Sequence, residues 1–206
     1  MAPIVAREPS TLSKHVVVIV GHPDPDGTHF GHALSDAYVA GAREVGHQLT
    51  IITVAQLDFP LLRTKTDFDS GEVPASLRDA QTAIGKAEHL VIVYPLWLGS
   101  MPAFLKGFFE QVLRPGFAFG APAAGAFPRK LLAGKSARLV VTMGMPALLY
   151  RWFYRSHGVK SLVRSVLNGC GIRPVRVSLV GRIDAPEAGA RAKWLARMRA
   201  LGRRGI

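Results

Sequence analysis

The stretch that decides the fold is residues 90–114, LVIVYPLWLGSMPAFLKGFFEQVLR. It opens with an unbroken apolar run, Leu90-Val91-Ile92-Val93-Tyr94, that stops at Pro95. Trp97 then sits in a short loop closed by Gly99 and Ser100. Beyond Met101-Pro102, apolar side chains return at Phe104, Leu105, Phe108, Phe109, Val112 and Leu113, at spacings of three and four. This pattern predicts a buried strand, a loop and an amphipathic helix in succession. Ser100 is the expected helix N-cap, and Pro102 falls in the first turn, where its missing N–H does no harm. Open α/β sheets bind ligands at the carboxyl ends of their strands. The apolar loop Pro95-Leu96-Trp97-Leu98 lies at such an end and suits a flat aromatic ring.

Working outward, the same alternation repeats. Val16-Val17-Val18-Ile19-Val20 reads as a strand buried on both faces. A dense turn cluster, residues 21–28, leads into a helix expected over 28–45, with Phe30, Ala33, Leu34, Ala37, Gly41 and Val45 on one face. A second strand is expected at 49–54 and a second helix at 74–86, with a polar connection at 56–72 that shows no element of its own. Residues 115–134, rich in Gly, Ala, Pro and Phe, have the length of a lid or binding loop. A fourth strand at 137–142 precedes the turn Met143-Gly144-Met145-Pro146, and a helix follows between 147 and 170. A fifth strand at 175–180 leads to a last helix at 185–201, capped by Asp184, with Pro186 in its first turn and Trp194, Leu195, Met198 and Leu201 inward. Strand alternates with helix five times, which gives a parallel sheet with right-handed crossovers and helices on both faces. No linker or repeat divides the 206 residues, so a single domain is expected, with 1–13 as a loose arm. In a doubly wound five-stranded sheet of order 2-1-3-4-5, the loops 21–28, 95–100 and 143–150 meet at the switch point.

Composition narrows the classes. The apolar runs are interrupted before the roughly 18 residues that a membrane span needs, and the N-terminus carries no secretory pattern. Cys170 is the sole cysteine, so an intrachain disulfide is impossible and a reduced, cytoplasmic protein is expected. Residues 1–100 hold 7 Lys and Arg against 11 Asp and Glu, net −4, whereas residues 101–206 hold 19 against 3, net +16. A basic half can face an anionic membrane surface, a partner or phosphorylated ligands. No zinc-finger spacing, RNP-type strand or basic zipper accompanies it, so nucleic acid is not expected.

The first loop meets a helix N-terminus at Thr28, where free N–H groups and the positive dipole end favour a phosphate. Thr28 adds a hydroxyl. One site with a phosphate end and a flat apolar end describes a flavin nucleotide. Gly21-His22-Pro23 before a helix, followed by Tyr94-Pro95-Leu96-Trp97-Leu98-Gly99-Ser100-Met101-Pro102-Ala103-Phe104-Leu105-Lys106-Gly107-Phe108, resembles the flavodoxin-like NAD(P)H:quinone oxidoreductases over about residues 14–201. In size it is most similar to the short bacterial members, the modulators of drug activity and the ancillary subunits of potassium efflux systems. The resemblance implies bound FAD or FMN, NAD(P)H as co-substrate, a homodimer, and two-electron ping-pong hydride transfer to a quinone or similar electrophile. It places His22, Thr28 and Phe30 on the phosphate and ribityl side of the flavin. It places Pro95, Leu96, Trp97 and Leu98 against the ring, and Thr142, Gly144 and Met145 on the third loop. Tyr150 and His157 are its candidates for handling charge and protons, at approximate spacing. Leu98 stands where many members carry a second aromatic.

Other readings compete. Gly134-Lys135-Ser136 resembles the end of a P-loop, but Arg129 stands where the first Gly belongs and the segment precedes a strand instead of following one. No G-x-G-x-x-G follows the first strand. His22, Asp24, Asp26, His29 and His32 form a possible zinc set, similar to the His-Pro-Asp-Asp stretch of zinc-dependent deacetylases, although Pro25 separates the two acids. A flavin-binding regulatory subunit, docked through the basic half on a membrane or transport partner, is the non-enzymatic alternative. Trp97, His22 and Tyr150 each also admit an ordinary packing role, and His157 a solvated helical one.

Overall fold

Five strands, β1 (His15–Val20), β2 (Gln48–Thr53), β3 (His89–Pro95), β4 (Ser136–Thr142) and β5 (Val175–Val180), form one sheet. In the computed structural model, which describes residues 13–120, 128–185 and 187–206, their order is β2-β1-β3-β4-β5 and every pairing is parallel. β3 lies at the centre with all seven residues buried, which is why its sequence is apolar without alternation. The expected arm at 1–13 and the middle of the 115–134 loop fall largely outside the described residues, as does Pro186.

Because side chains alternate across a strand, each apolar run feeds two cores. Val16, Val18, Val20, Val91, Val93 and Val140 face α1 (Phe30–Glu44) and the C-terminal helix, Ala190–Arg204. Val17, Ile19, Leu90, Ile92, Tyr94, Leu139 and Val141 face the helices of the other layer. Each such side chain taken from water stabilises the fold by about 1.5–3 kcal/mol before chain entropy is counted. α1 and the C-terminal helix cross at backbone distance: a Cβ on Gly41 would lie 2.0 Å from the Arg199 carbonyl oxygen.

The layer opposite is built from α2 (Lys65–Ser70), α3 (Arg78–Lys86), α4 (Ala103–Val112), α5 (Ala147–Trp152), α6 (His157–Ser161) and α7 (Asn168–Cys170). A π-helical stretch, Leu162–Leu167, joins α6 to α7, and the C-terminal helix is α8. No described helix is long and apolar enough to cross a membrane.

Several local expectations are corrected. The supposedly featureless 56–72 connection contains α2, started by the Thr64 hydroxyl accepting from the Asp67 N–H. α1 starts at Phe30 with His29 as N-cap, not at Thr28. α4 is preceded by Pro102 as its N-cap, while the Ser100 backbone is spent closing a turn with Trp97. α8 starts at Ala190 after Gly189, whose φ of 73° stops the helix from reaching back to Asp184. The helix expected somewhere between 147 and 170 is found as two helical segments, parted at Arg155 and Ser156, both with φ 51°.

Candidate active site

The carboxyl ends of β1, β3 and β4 bring three loops to one rim, and the β5–α8 connection adds a fourth. In the first loop, the Asp24 N–H donates to His22 Nδ1 (3.1 Å) and the Asp26 N–H donates to the Asp24 carboxylate (3.0 Å). His29 Nε2 lies 2.7 Å from Asp24 Oδ2. The His22 and His29 rings stack with centroids 3.9 Å apart, and the His32 ring lies 5.4 Å from that of His22. Burial first, then the neighbouring His29, lowers the pKa of both His22 and His32, so both are neutral at pH 7. Asp24 is also held low, chiefly by the Asp26 N–H and then by His29. His29 caps α1 without a side-chain hydrogen bond, which leaves first-turn N–H groups open to the rim. Behind them, both ring nitrogens of the buried His32 lack a partner among the described residues.

The second loop is a tight reverse turn. Trp97 N–H donates to the Ser100 carbonyl (2.9 Å) and Ser100 N–H returns to Trp97 (3.0 Å). The two central residues, Leu98 and Gly99, have φ of 47° and 80°, the pattern of a type I′ turn. Trp97 is half-exposed and Leu98 fully so. The indole stands edge-on to His22 with centroids 6.0 Å apart, so the first two loops meet. The Tyr150 hydroxyl donates to the Gly99 carbonyl (3.1 Å) and accepts from the Val159 N–H (3.3 Å), tying the turn to α5 and α6.

The third and fourth loops are stitched together. The Arg182 N–H donates to the Met145 carbonyl (3.2 Å) and the Ile183 N–H to the Met143 carbonyl (3.3 Å). A Cβ on Gly144 would come within 2.3 Å of Asp184 Oδ2, so a larger residue there would push the exposed Asp184 carboxylate aside. Arg191, at the start of α8, stands over the Phe30 ring at 5.5 Å and donates to the Ile183 carbonyl (2.9 Å). Between the loops opens a cleft of about 370 Å³, lined by His22, Thr28, Phe30, Pro95, Thr142, Asp184 and Arg191 among others.

The sequence-predicted residues are therefore distributed unevenly. His22, Thr28, Phe30, Pro95 and Thr142 line the cleft, and the exposed faces of Trp97 and Leu98 stand beside it. Leu96 and Met145 turn inward against the core, and the Leu96 N–H is spent on the Thr142 carbonyl (2.8 Å). Tyr150 is buried with its hydroxyl occupied, and burial raises its pKa. His157 is exposed at the start of α6. Asp184 and Arg191 were not anticipated as cleft residues. Their only local signal is charge after the last strand, and the 46 residues between Gly144 and Arg191 give no hint of proximity.

The metal reading also receives a geometry: His22, Asp24 and His29 offer ligand atoms within 4.8 Å of one another. Two of these groups are already spent on each other, and His22 Nδ1 is taken by a backbone N–H. The open helix N-terminus and Arg191 make the cleft a better host for an anion.

The family model described as flavodoxin-like fold matches residues 14–201. An uncharacterized NAD(P)H oxidoreductase of Haemophilus influenzae is 29% identical over 183 residues, 85% of this chain and 87% of its own. An FMN-dependent NADH:quinone oxidoreductase of Ruegeria pomeroyi is 28% identical over 137 residues, 58% of this chain and 65% of its own. Among solved structures, the NAD(P)H:quinone oxidoreductase from Methanothermobacter marburgensis superposes with a TM-score of 0.77 at 22% identity, covering 93% of this chain and 96% of that one.

Proposed function

The chain belongs to the flavodoxin-like fold family, and on that premise we propose that it is a flavin-dependent NAD(P)H:quinone oxidoreductase that binds FAD or FMN at the rim of β1, β3 and β4. The observation that carries this reading is the junction of an uncapped helix N-terminus with an exposed aromatic turn, His22 and Trp97 lying 6.0 Å apart. The relatives named as an NAD(P)H oxidoreductase and an FMN-dependent NADH:quinone oxidoreductase support it. When bound, the flavin supplies a two-electron carrier, reduced by a nicotinamide and reoxidised by a quinone.

The chain's own residues bind and orient. The first-turn N–H groups of α1, the Thr28 hydroxyl and Arg191 hold the phosphate end, and neutral His22 gives a polar contact without adding charge. Pro95 and Thr142 form the inner wall, while Trp97 and Leu98 shield the flat end from water. Tyr150 acts as a positioning residue through Gly99. His157, exposed beside the turn's support, is the group available to stabilise charge on an incoming substrate. The second protomer of a homodimer covers the exposed face of the Trp97–Leu98 turn.

Purification tests this directly. The protein should be yellow, lose its colour with NADH or NADPH and regain it with a quinone, and chromatography of the released cofactor should return FMN or FAD. Protein that is colourless and takes up neither flavin would overturn the assignment.

A further inference from the structure

β5 is an edge strand, and its open side lies in a groove. The groove has a volume of about 570 Å³; Val177, Ser178 and Leu179 form its floor. One wall comes from α5, α6 and the π-helical stretch, the other from α8, which contributes Trp194 and Arg197.

The strand's backbone is unpaired on that side. Ala137 N–H donates to the Pro174 carbonyl and Met143 N–H to the Val180 carbonyl, so even-numbered residues of this segment turn their peptide groups towards β4. Alternation then points the N–H and C=O groups of Val175, Val177 and Leu179 at the open edge. Edges of this kind are normally blunted by a covering loop, a bulge or an inward charge, because they template the addition of another strand. Here the helices flank the edge without covering it, and Val177 remains 41% exposed.

The walls define what would pair there. Arg151, Lys160 and Arg164 stand on the α5–α6 side and Arg197 on the α8 side, its guanidinium 4.9 Å above the Trp194 ring. None of the four makes an ion pair among the described residues, and no carboxylate lines the groove. Val177 and Leu179 belong to the face that carries the three cations, whereas Val180 faces Trp194 and α8. A strand added to β5 would alternate its side chains between these two faces in the same way.

We propose that the β5 edge is a docking site for an extended acidic segment of a partner protein, added as a sixth strand. Its carboxylates alternate onto Arg151, Lys160 and Arg164, and the intervening apolar side chains lie towards Trp194. Main-chain hydrogen bonds to Val175, Val177 and Leu179 give affinity, and the alternation gives register. This site is separate from the flavin cleft and does not depend on the redox assignment.

The probe is a fluorescein-labelled, end-blocked peptide Glu-Val-Glu-Val-Glu-Val-Glu, titrated with purified protein in low salt. Saturable binding is expected, with hydrogen-exchange protection appearing at the Val177 and Leu179 amides. The pair Lys160→Glu and Arg164→Glu should weaken binding at least about tenfold, with flavin content and melting temperature unchanged. Arg197→Gln gives a milder check that perturbs packing less. The proposal is overturned if the alternating peptide does not bind. Equal binding of a block peptide of the same composition overturns it too, as does absence of protection at those two amides. Displacement of the peptide by phosphatidylglycerol vesicles, with no amide protection, would mean that the cations serve a lipid surface instead.

Discussion

Leu98 holds a backbone that leucine rarely adopts, φ 47°, and its side chain is fully exposed. Left-handed residues other than Gly and Asn cost about 1 kcal/mol or more, and such strain gathers at functional positions. Asn tolerates this conformation, so Leu98→Asn should stabilise the fold by about 0.5–1 kcal/mol, raising the melting temperature by a few degrees. Quinone turnover should fall, because an apolar cover over the site is lost. Higher stability with unchanged turnover would remove Leu98 from the site. His89 makes a different residue-scale prediction. It is fully buried at the far end of β3, bonded through Nδ1 to the Ser136 hydroxyl (2.8 Å), and burial lowers its pKa to about 3. The imidazole is neutral in the fold, whereas the unfolded chain takes up a proton below the ordinary histidine value of about 6.5. The unfolded state therefore binds more protons, and stability falls as pH drops from about 6.5 towards 3, by up to about 1.4 kcal/mol per pH unit. Chemical denaturation across that range should show this slope, and His89→Asn should flatten it. A slope unaffected by the substitution would assign acid lability to other groups.

At the scale of elements, the turn after β3 is held by α5 and α6 as well as by its own Trp97–Ser100 hydrogen bonds. The Tyr150 hydroxyl spans Gly99 and Val159, and a Cβ on Gly158 would lie 2.1 Å from the Gly99 carbonyl oxygen. Tyr150→Phe leaves that carbonyl and the Val159 N–H without their partner, which should cost about 1–3 kcal/mol. Flavin affinity should drop while the shape of the pH–rate profile stays the same, because the hydroxyl works through Gly99. Loss of one limb of that profile would instead make Tyr150 a proton donor. β1 and β3 were legible because an unbroken run of apolar residues has few alternatives to a doubly buried strand. Phe108 and Phe109 were readable as core from their helical spacing, and both are buried. Helix starts were less legible. Ser100 has the chemistry of a cap, but two positive-φ residues turn its backbone back onto Trp97, and no local rule marks Leu98 for that conformation. Likewise Leu96 and Met145 share the site's loops yet point inward, since a loop has no periodicity from which facing could be read.

At the scale of the molecule, the charge imbalance between the two halves was countable but its placement was not. Glu44 on α1 pairs with Arg199 and Arg203 on α8, so part of the basic half is neutralised by the acidic one. What remains unaccounted for is apolar. Trp152 and Phe153, on and after α5, are both 75% exposed, and Leu98 and Trp97 lie nearby through the Tyr150–Gly99 hydrogen bond. Isolated exposed apolar residues are common, but a run of large ones beside a ligand cleft marks an interface. On the proposed function a second copy is the occupant, since the same cover that buries Trp152 and Phe153 would close the open side of the Trp97 turn. Sedimentation velocity should therefore find a dimer, and Trp152→Glu combined with Phe153→Glu should give a monomer, because burying two carboxylates in an apolar contact is costly without partners. Both side chains are exposed in the protomer, so the melting transition of the monomer should persist. If the flat end of the flavin depends on the second copy, that monomer should lose cofactor on dilution much faster than the parent protein. A monomeric parent that nonetheless retains flavin and turns over quinone would show that the turn needs no such cover.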